Sequence, residues 1–382
     1  MTELLECQRH LFDLPPGVTY LNCAYMSPSL KTVTAAGERG ARIKAHPWRI
    51  EPRDFFAGAD AARTLFAGLI GAGTDDIAIV PSASYGIASA AANLPLAEGQ
   101  TIVLLEEQFP SNVFQWRRRA DEARARIVTV ARPHAGDGSW SEAVLAAIGE
   151  DTAVVALPHC HWTDGALMDL AAISRRCRTV GAALVLDLSQ SLGALPIGIG
   201  TVDADFLVTP CYKWLLGPYS LGFLYVAPRH QNGIPLEETW IGRQGAEDFA
   251  RLTAYTETWD TGARRFDMGA RAHFHLLPMA CAALAQIGDW QIPRIAATLG
   301  RMTGEIADRA QALGLAVPPE AERAPHFIGL RFPGGMPEGL LGRLKERDIY
   351  VSARGDALRV TPHLYNGTED IDVLFSSLKE LM

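Results

Sequence analysis

Four short stretches place chemically capable residues directly after apolar, strand-like runs. In Pro81-Ser82-Ala83-Ser84-Tyr85-Gly86, small hydroxyl residues end one run and open a helix-like stretch. Free N–H groups and the dipole at a helix start favour a phosphate, although serines also cap helices for purely structural reasons. Asp187 ends the very apolar run AALVLDL. A carboxylate there needs a positive or hydrogen-bonding partner, because its burial is otherwise costly. A protonated ring nitrogen of a ligand would serve, and so would local backbone. Gln190, three residues on, could reach a second polar group of the same ligand. Lys213 lies in Thr209-Pro210-Cys211-Tyr212-Lys213-Trp214. A lysine in such company either extends to water or is a desolvated, nucleophilic amine. Arg359, in Leu358-Arg359-Val360-Thr361-Pro362, could clamp a carboxylate through two parallel hydrogen bonds or form a surface ion pair.

Taken singly, each of these signals has an ordinary structural explanation. Their order is more specific: a phosphate-type loop, an aspartate, a lysine 26 residues later, and an arginine near the C-terminus. Lysine is also scarce. Lys31, Lys44, Lys213, Lys345 and Lys379 are the only ones, so Lys213 stands alone between positions 45 and 344.

Positioning these residues requires strands whose carboxyl ends meet, since sites in open α/β sheets gather there. The runs IAIVP (77–81), TIVLLE (101–106), RIVTVA (126–131), TAVVALPH (152–159), AALVLDL (182–188), DFLVTPC (205–211) and LGFLYV (221–226) alternate little between apolar and polar residues. That suits strands covered on both faces. Helical patterns at 111–124, 141–149 and 169–180 separate several of them, which indicates an α/β domain with a mainly parallel sheet. The last two runs follow each other closely enough for an antiparallel pair. Beyond residue 263 the chain reads as α+β. One long helical stretch covers 270–313 and takes in His273 and His275. Then come HFIGLRF (326–332), a helix over 337–346, IYVSA (349–353), ALRVTP (357–362) and a final helix from 368, with Thr368 and Asp370 in its cap region. The expected division is a large α/β domain over 20–262, with 1–19 and 263–382 forming a smaller α+β domain.

Composition narrows the function classes. The chain has 382 residues, 48% hydrophobic and 20% charged, with a net charge of −8. That balance argues against nucleic acid as a partner, since phosphate backbones require basic stripes. No apolar run reaches the roughly 18 residues of a membrane span, and MTELLECQRH lacks the basic start and apolar centre of a signal peptide. A cytoplasmic location is the expectation. The six cysteines form neither a CxxC pair nor a disulfide framework, so reduced thiols are expected. His159 and His161 alone could share a strand face near Cys160, which is thin support for a metal, and none is expected.

The arrangement resembles the class V aminotransferase group of fold-type I pyridoxal 5′-phosphate (PLP) enzymes. That group includes cysteine desulfurases, kynureninases and isopenicillin-N-epimerase-like proteins. The likeness runs from Tyr20-Leu21-Asn22-Cys23-Ala24 to Leu364-Tyr365-Asn366 and is most specific where LVLDLSQS leads to YKWLLGPYSLGFLYV. It implies that Lys213 holds the cofactor as a Schiff base and then moves the substrate's Cα proton. Asp187 would pair with the pyridine nitrogen, Gln190 would contact the phenolic oxygen, and Phe109 would stack on the ring. Ser82, Ala83 and Ser84 would hold the phosphate with help from the Tyr212 hydroxyl. Arg359 would bind the substrate carboxylate. Trp162 falls near the pyridine ring, or Thr163 if the register shifts by one. A homodimer acting on a small amino substrate is implied as well.

Three departures from the family pattern bear on the chemistry. No cysteine follows Cys281, and the Ser352–Leu358 connection is short, so the loop cysteine of a desulfurase has no counterpart. The family's Phe-Glu-x-Gly-Thr motif reads Phe266-Asp267-Met268-Gly269-Ala270, which removes the threonine hydroxyl that reaches a neighbouring subunit's phosphate. The ring-facing residue that is often asparagine is Trp162. Aminotransferase is the reading that needs only the shared machinery. Trp240-Ile241-Gly242 and Gly262-Ala263-Arg264-Arg265-Phe266 are kynureninase-like, which keeps a hydrolase or C–S lyase in view beside an epimerase and a non-catalytic PLP-binding protein. The aromatic residues Trp48, Trp162, Tyr212, Trp240, Tyr255 and Trp259 could line a substrate pocket or simply pack.

Overall fold

The structure is a computed structural model that describes residues 2–133 and 138–382. Its strands are β1 (Thr19–Tyr20), β2 (Ile77–Val80), β3 (Thr101–Leu105), β4 (Arg126–Val130), β5 (Thr152–Pro158), β6 (Ala183–Asp187), β7 (Phe206–Pro210), β8 (Gly222–Val226), β9 (Ile328–Arg331), β10 (Ile349–Tyr350), β11 (Ser352–Arg354) and β12 (Ala357–Val360). Its helices are α1 (Lys31–Ile43), α2 (Asp54–Ile70), α3 (Ala83–Asn93), α4 (Phe114–Ala123), α5 (Trp140–Ala147), α6 (Leu170–Val180), α7 (Leu276–Trp290), α8 (Ile292–Ala312), α9 (Leu340–Lys345) and α10 (Thr368–Leu381).

Seven strands form the central sheet in the order β2-β8-β7-β6-β5-β3-β4. The run from β7 to β4 is parallel, whereas β8 is antiparallel to both β7 and β2. This is the mainly parallel sheet of fold type I, with the antiparallel pair at its closely spaced last strands. Both faces are covered. Val103 and Leu105 of β3 pack into one apolar cluster, while Ile102 and Leu104 pack into another. Leu184 and Leu186 of β6 divide from Val185 in the same way. Residues of a strand alternate between faces, so two buried faces require the unbroken apolar runs seen in the sequence. Only β4, at the sheet edge, exposes part of its length.

Chain direction fixes where a site can form. From β3 the chain moves outward to β4, then returns to place β5 on the other side of β3. The crevice at the carboxyl ends of β3 and β5 is therefore a topological switch point, where ligands bind in open α/β sheets. Helix α3 is drawn close to the sheet: a Cβ at Gly86 would stand 2.5 Å from Val208 Cγ2 of β7.

A three-stranded antiparallel sheet, β11-β12-β9, is built from the C-terminal part of the chain, and β1 pairs in parallel with β10. Here several sequence expectations change. The stretch expected as one helix over 270–313 is two helices, broken at Gln291, whose φ of 65° leaves the helical region. Pro293, in the first turn of α8, suits a helix start because its missing N–H would have no partner there. Since α7 begins at Leu276, His273 and His275 precede it rather than belonging to it. The run IYVSA is divided between β10 and β11, which pair with different strands. The final helix is capped by Gly367, whose N–H donates to Asp370 Oδ2 at 3.0 Å, while Thr368 is its first residue.

One buried charge cluster ties distant segments together. Arg63 of α2 donates through Nη1 and Nη2 to the two carboxylate oxygens of Asp267, at 3.0 and 2.6 Å. Asp267 also accepts from Arg271 at 2.5 Å and from the Ile79 N–H of β2 at 2.7 Å. Arg63 is fully buried, and Asp267 and Arg271 are 2% exposed. Asp267→Asn would leave two buried cations facing an uncharged group. It should cost about 3–5 kcal/mol, measurable as a lower denaturant midpoint, and a loss below about 1 kcal/mol would show that the cluster is not holding these segments together.

Candidate active site

At the end of β6, Asp187 is 5% exposed, and its Oδ1 accepts from the Ser189 N–H at 3.0 Å and the Ser189 hydroxyl at 2.5 Å. The chain then turns sharply. Gly193 has φ +107°, and a Cβ on it would meet Trp214 O at 2.2 Å. Only glycine lets this turn lie against the backbone next to Lys213. Gln190 is held rigidly in the turn: its Nε2 donates to Ala24 O at 3.1 Å, and its Oε1 accepts from Trp214 Nε1 at 3.1 Å. One N–H of the Gln190 amide is left for a ligand.

Lys213 lies three residues beyond β7 and is 7% exposed. Its Nζ stands 5.5 Å from the ring centroid of Phe109 and 5.5 Å from that of Tyr212. Burial pulls the amine's pKa down to about 8, despite the opposing charge of Asp187; the charges of Arg359 and Arg354 pull the same way as burial. A buried amine whose pKa falls toward physiological pH keeps a useful neutral fraction there and can act as a nucleophile and a proton carrier.

Phe109 follows β3, placed there by Gln108. The Gln108 Oε1 accepts from Leu105 N–H at 3.0 Å, and its Nε2 donates to Asn112 O at 2.7 Å and Ala156 O at 3.1 Å. Trp162 follows β5 and meets Phe109 edge-to-face with centroids 5.3 Å apart. The Trp162 Nε1 donates to Glu107 O at 2.6 Å, so the loops after β3 and β5 are clasped directly across the switch point. Arg132 strengthens the clasp by donating to Glu107, Asp164 and Thr163.

Phe109, Trp162, Asp187, Gln190 and Lys213 thus line a single small cavity, together with Gln108, Asn112, Pro158 and Ser189. Thr163 does not line it, because its hydroxyl is committed to Arg132 and His161. Sequence reasoning passed over Ser189 and Asn112. The spacing of Asp187 and Ser189 is the signal of a local aspartate turn, whereas Asn112 left none. Its Oδ1 accepts from Trp116 Nε1, but its buried Nδ2 has no partner. Of the aromatic residues considered for a substrate pocket, Trp240 and Tyr255 line a different surface cleft.

The remaining candidates do not line this cavity. Ser82 is the N-cap of α3 and accepts from Tyr85 N–H at 3.2 Å, so its hydroxyl is spent on the helix. The first-turn N–H groups at Ala83 and Ser84 have no acceptor within the helix and could receive an anion. Burial and the neighbouring Tyr219 hold the Tyr212 phenol protonated, with a pKa near 12. Arg359 of β12 is 1% exposed, and its Nη1 donates to Trp162 O at 2.9 Å while Nε and Nη2 donate to Ser352 Oγ. Burial and Arg354 lower its pKa to about 9, and no carboxylate pairs with it among the described residues. A buried guanidinium without an acid is poised for an anionic ligand.

Comparison with known proteins identifies relatives of this chain. The family described as Aminotransferase class-V matches residues 52–372. An uncharacterized aminotransferase of Bacillus subtilis is 28% identical over 97% of this chain and 96% of its own. A kynureninase of Deinococcus radiodurans is 28% identical over 75% of this chain and 69% of its own. Among solved structures, a cystine C–S lyase in complex with its product cysteine persulfide superposes with a TM-score of 0.85 at 19% identity, covering 96% of this chain and 98% of that one, a likeness of fold.

The lowered pKa has a direct consequence for the cofactor-free protein. Acylation of Lys213 by an amine-directed reagent should rise with pH to a midpoint near 8, as the buried amine sheds its proton. Ordinary lysines react only as pH approaches about 10.4. A Lys213 midpoint as high as theirs would mean that the amine is not desolvated.

Proposed function

This chain belongs to the class V aminotransferase family of PLP-dependent enzymes, and from that premise we propose that it is an aminotransferase whose cofactor is held by Lys213. The residues present fit PLP. Phe109 offers a ring face 5.5 Å from the Lys213 amine. The Asn112 amide points an unpartnered donor into the same region, and the start of α3 offers free N–H groups for a phosphate. When bound, PLP supplies an electron-withdrawing ring that allows a bond at the amino carbon to break. Asp187 would hold the ring nitrogen's proton, with Ser189 fixing the carboxylate. Gln190 would direct its free N–H to a ring substituent, Trp162 and Phe109 would exclude water, and Arg359 would orient the substrate carboxylate.

The observation that carries the choice of transamination is the number of bases. Among the described residues lining the cavity, only Asp187 and Lys213 are titratable, and Asp187 is bonded to Ser189. Lys213 would therefore take the proton from the substrate carbon and return it at another atom on the same side. An epimerase working with two opposed bases finds no second base here. The thiols nearest the site, on Cys23, Cys160 and Cys211, are buried, and burial raises their pKa well above the usual thiol range. That weighs against persulfide chemistry, as does the tight β11–β12 hairpin. A kynureninase-like hydrolase or a C–S lyase is the second reading, supported by the likeness to kynureninase.

A homodimer belongs to the same proposal. Tyr255 is 91% exposed, Trp48 75% and Ile234 69%, large apolar side chains of the kind that a second copy would cover. Sedimentation of the holoenzyme should give twice the chain mass, and a stable monomer at micromolar concentration would count against it.

Borohydride reduction of the holoenzyme followed by peptide mapping should label Lys213, and a label elsewhere would falsify the anchor. With a panel of amino acids and a keto-acid acceptor, the products should be a new keto acid and a new amino acid in equal amounts. Ammonia or sulfide would move the assignment to a lyase, and alanine released from an aromatic substrate would move it to a hydrolase.

A further inference from the structure

Arg354 lies at the end of β11 and has no role in the chemistry described above. In the β11–β12 hairpin, Ser352 pairs with Arg359 and Arg354 pairs with Ala357. Paired residues and residues two apart share a face of a sheet. Arg354, Ser352 and Arg359 therefore project from the same side. Both guanidinium groups reach the indole of Trp162, with Cζ 5.6 Å from the ring centroid for Arg354 and 5.9 Å for Arg359.

Among the described residues, neither cation has an acid of its own. Among those residues Arg354 donates to Ala353 O alone, at 2.6 Å, and Arg359 to Ser352 and Trp162 alone. The acids nearby are committed elsewhere. Asp356 accepts from Arg331, Asp164 from Arg132 and Arg331, Glu107 from Arg132, and Asp187 from Ser189. Two guanidinium groups on one indole repel each other, and each is partly removed from water. Such a pair is held at a cost unless anions complete it. One anion is the substrate α-carboxylate at Arg359.

We propose that Arg354 is a specificity-determining residue that binds a second carboxylate, on the side chain of the substrate, so that the enzyme takes dicarboxylic amino acids. This rests on the reading of Lys213 and Arg359 above. Arg354 lies nearer the turn than Arg359 does, so the α-carboxylate meets the buried guanidinium and the side-chain carboxylate meets the half-buried one. The rigid planar fork of arginine suits a carboxylate bound through two oxygens. Trp162, beneath both cations, faces the apolar stem between the two charges.

The test compares acids with their isosteric amides. The holoenzyme is titrated with aspartate against asparagine, and with glutamate against glutamine, following the cofactor absorption band. At least one acid should bind about tenfold or more tightly than its amide, the effect of one charge-assisted contact. In Arg354→Ala that ratio should fall to about one, and Arg354→Lys, which keeps the charge, should retain part of it. A second arm needs no amine: glutarate should raise the melting temperature of the wild-type holoenzyme more than butyrate does, and Arg354→Ala should abolish the difference. Equal binding of acid and amide by the wild type, or a ratio that survives Arg354→Ala, overturns the assignment while leaving Lys213 in place. If no amino acid alters the band, the reading of Lys213 fails, and the glutarate comparison still decides on Arg354.

Discussion

Keeping one primary amine out of water is the constraint on which the rest of the structure depends. A lysine seldom stays buried unless its surroundings repay the lost hydration. Here the carboxyl ends of β6 and β7 bring Asp187 and Lys213 into one cavity, and the glycine at 193 lets the two connections lie against each other. Desolvation favours the neutral amine and the aspartate opposes it. The balance leaves a group that can lose and regain a proton without a large driving force in either direction, which is what a proton carrier requires.

The walls around that amine are also fixed by backbone and buried polar groups rather than by surface contacts. Trp162 and Phe109 come from loops on either side of the switch point, and the indole N–H of one loop meets a carbonyl of the other. Arg132 and His161 add bonds to the same two loops. Rotating the indole would therefore disturb both loops. Preorganised walls of this kind exclude water without ordering costs at the moment of binding.

Much of this was legible in the sequence because buried parallel strands leave an unmistakable pattern. The apolar runs ending at Asp187 and Pro210 located both carboxyl ends, and the residues just beyond them proved to share a cavity. The C-terminal half was harder to read. Its long alanine-rich stretch is helical in composition throughout, so the left-handed break at Gln291 has no signature beyond the nearby proline. The start of α7 at Leu276 was likewise hidden, since nothing in the local residues forbids a helix through His273. Asn112 and Arg354 escaped for another reason. Their importance lies in partners they lack, and a missing partner becomes visible only when every neighbour is in place.

The hairpin that carries Arg354 and Arg359 turns on Gly355 and Asp356 alone, and Gly355 faces open space. Loop closure entropy rises slowly, by about 0.6 kcal/mol for each doubling of length. Extra residues could therefore be inherited at this turn without endangering the fold. An inserted segment here could carry a new reactive side chain toward Arg359 and Trp162 while the sheet, the amine and the clasped loops stayed as they are. A two-residue turn is thus the point at which this frame can take on new chemistry at little cost to its stability.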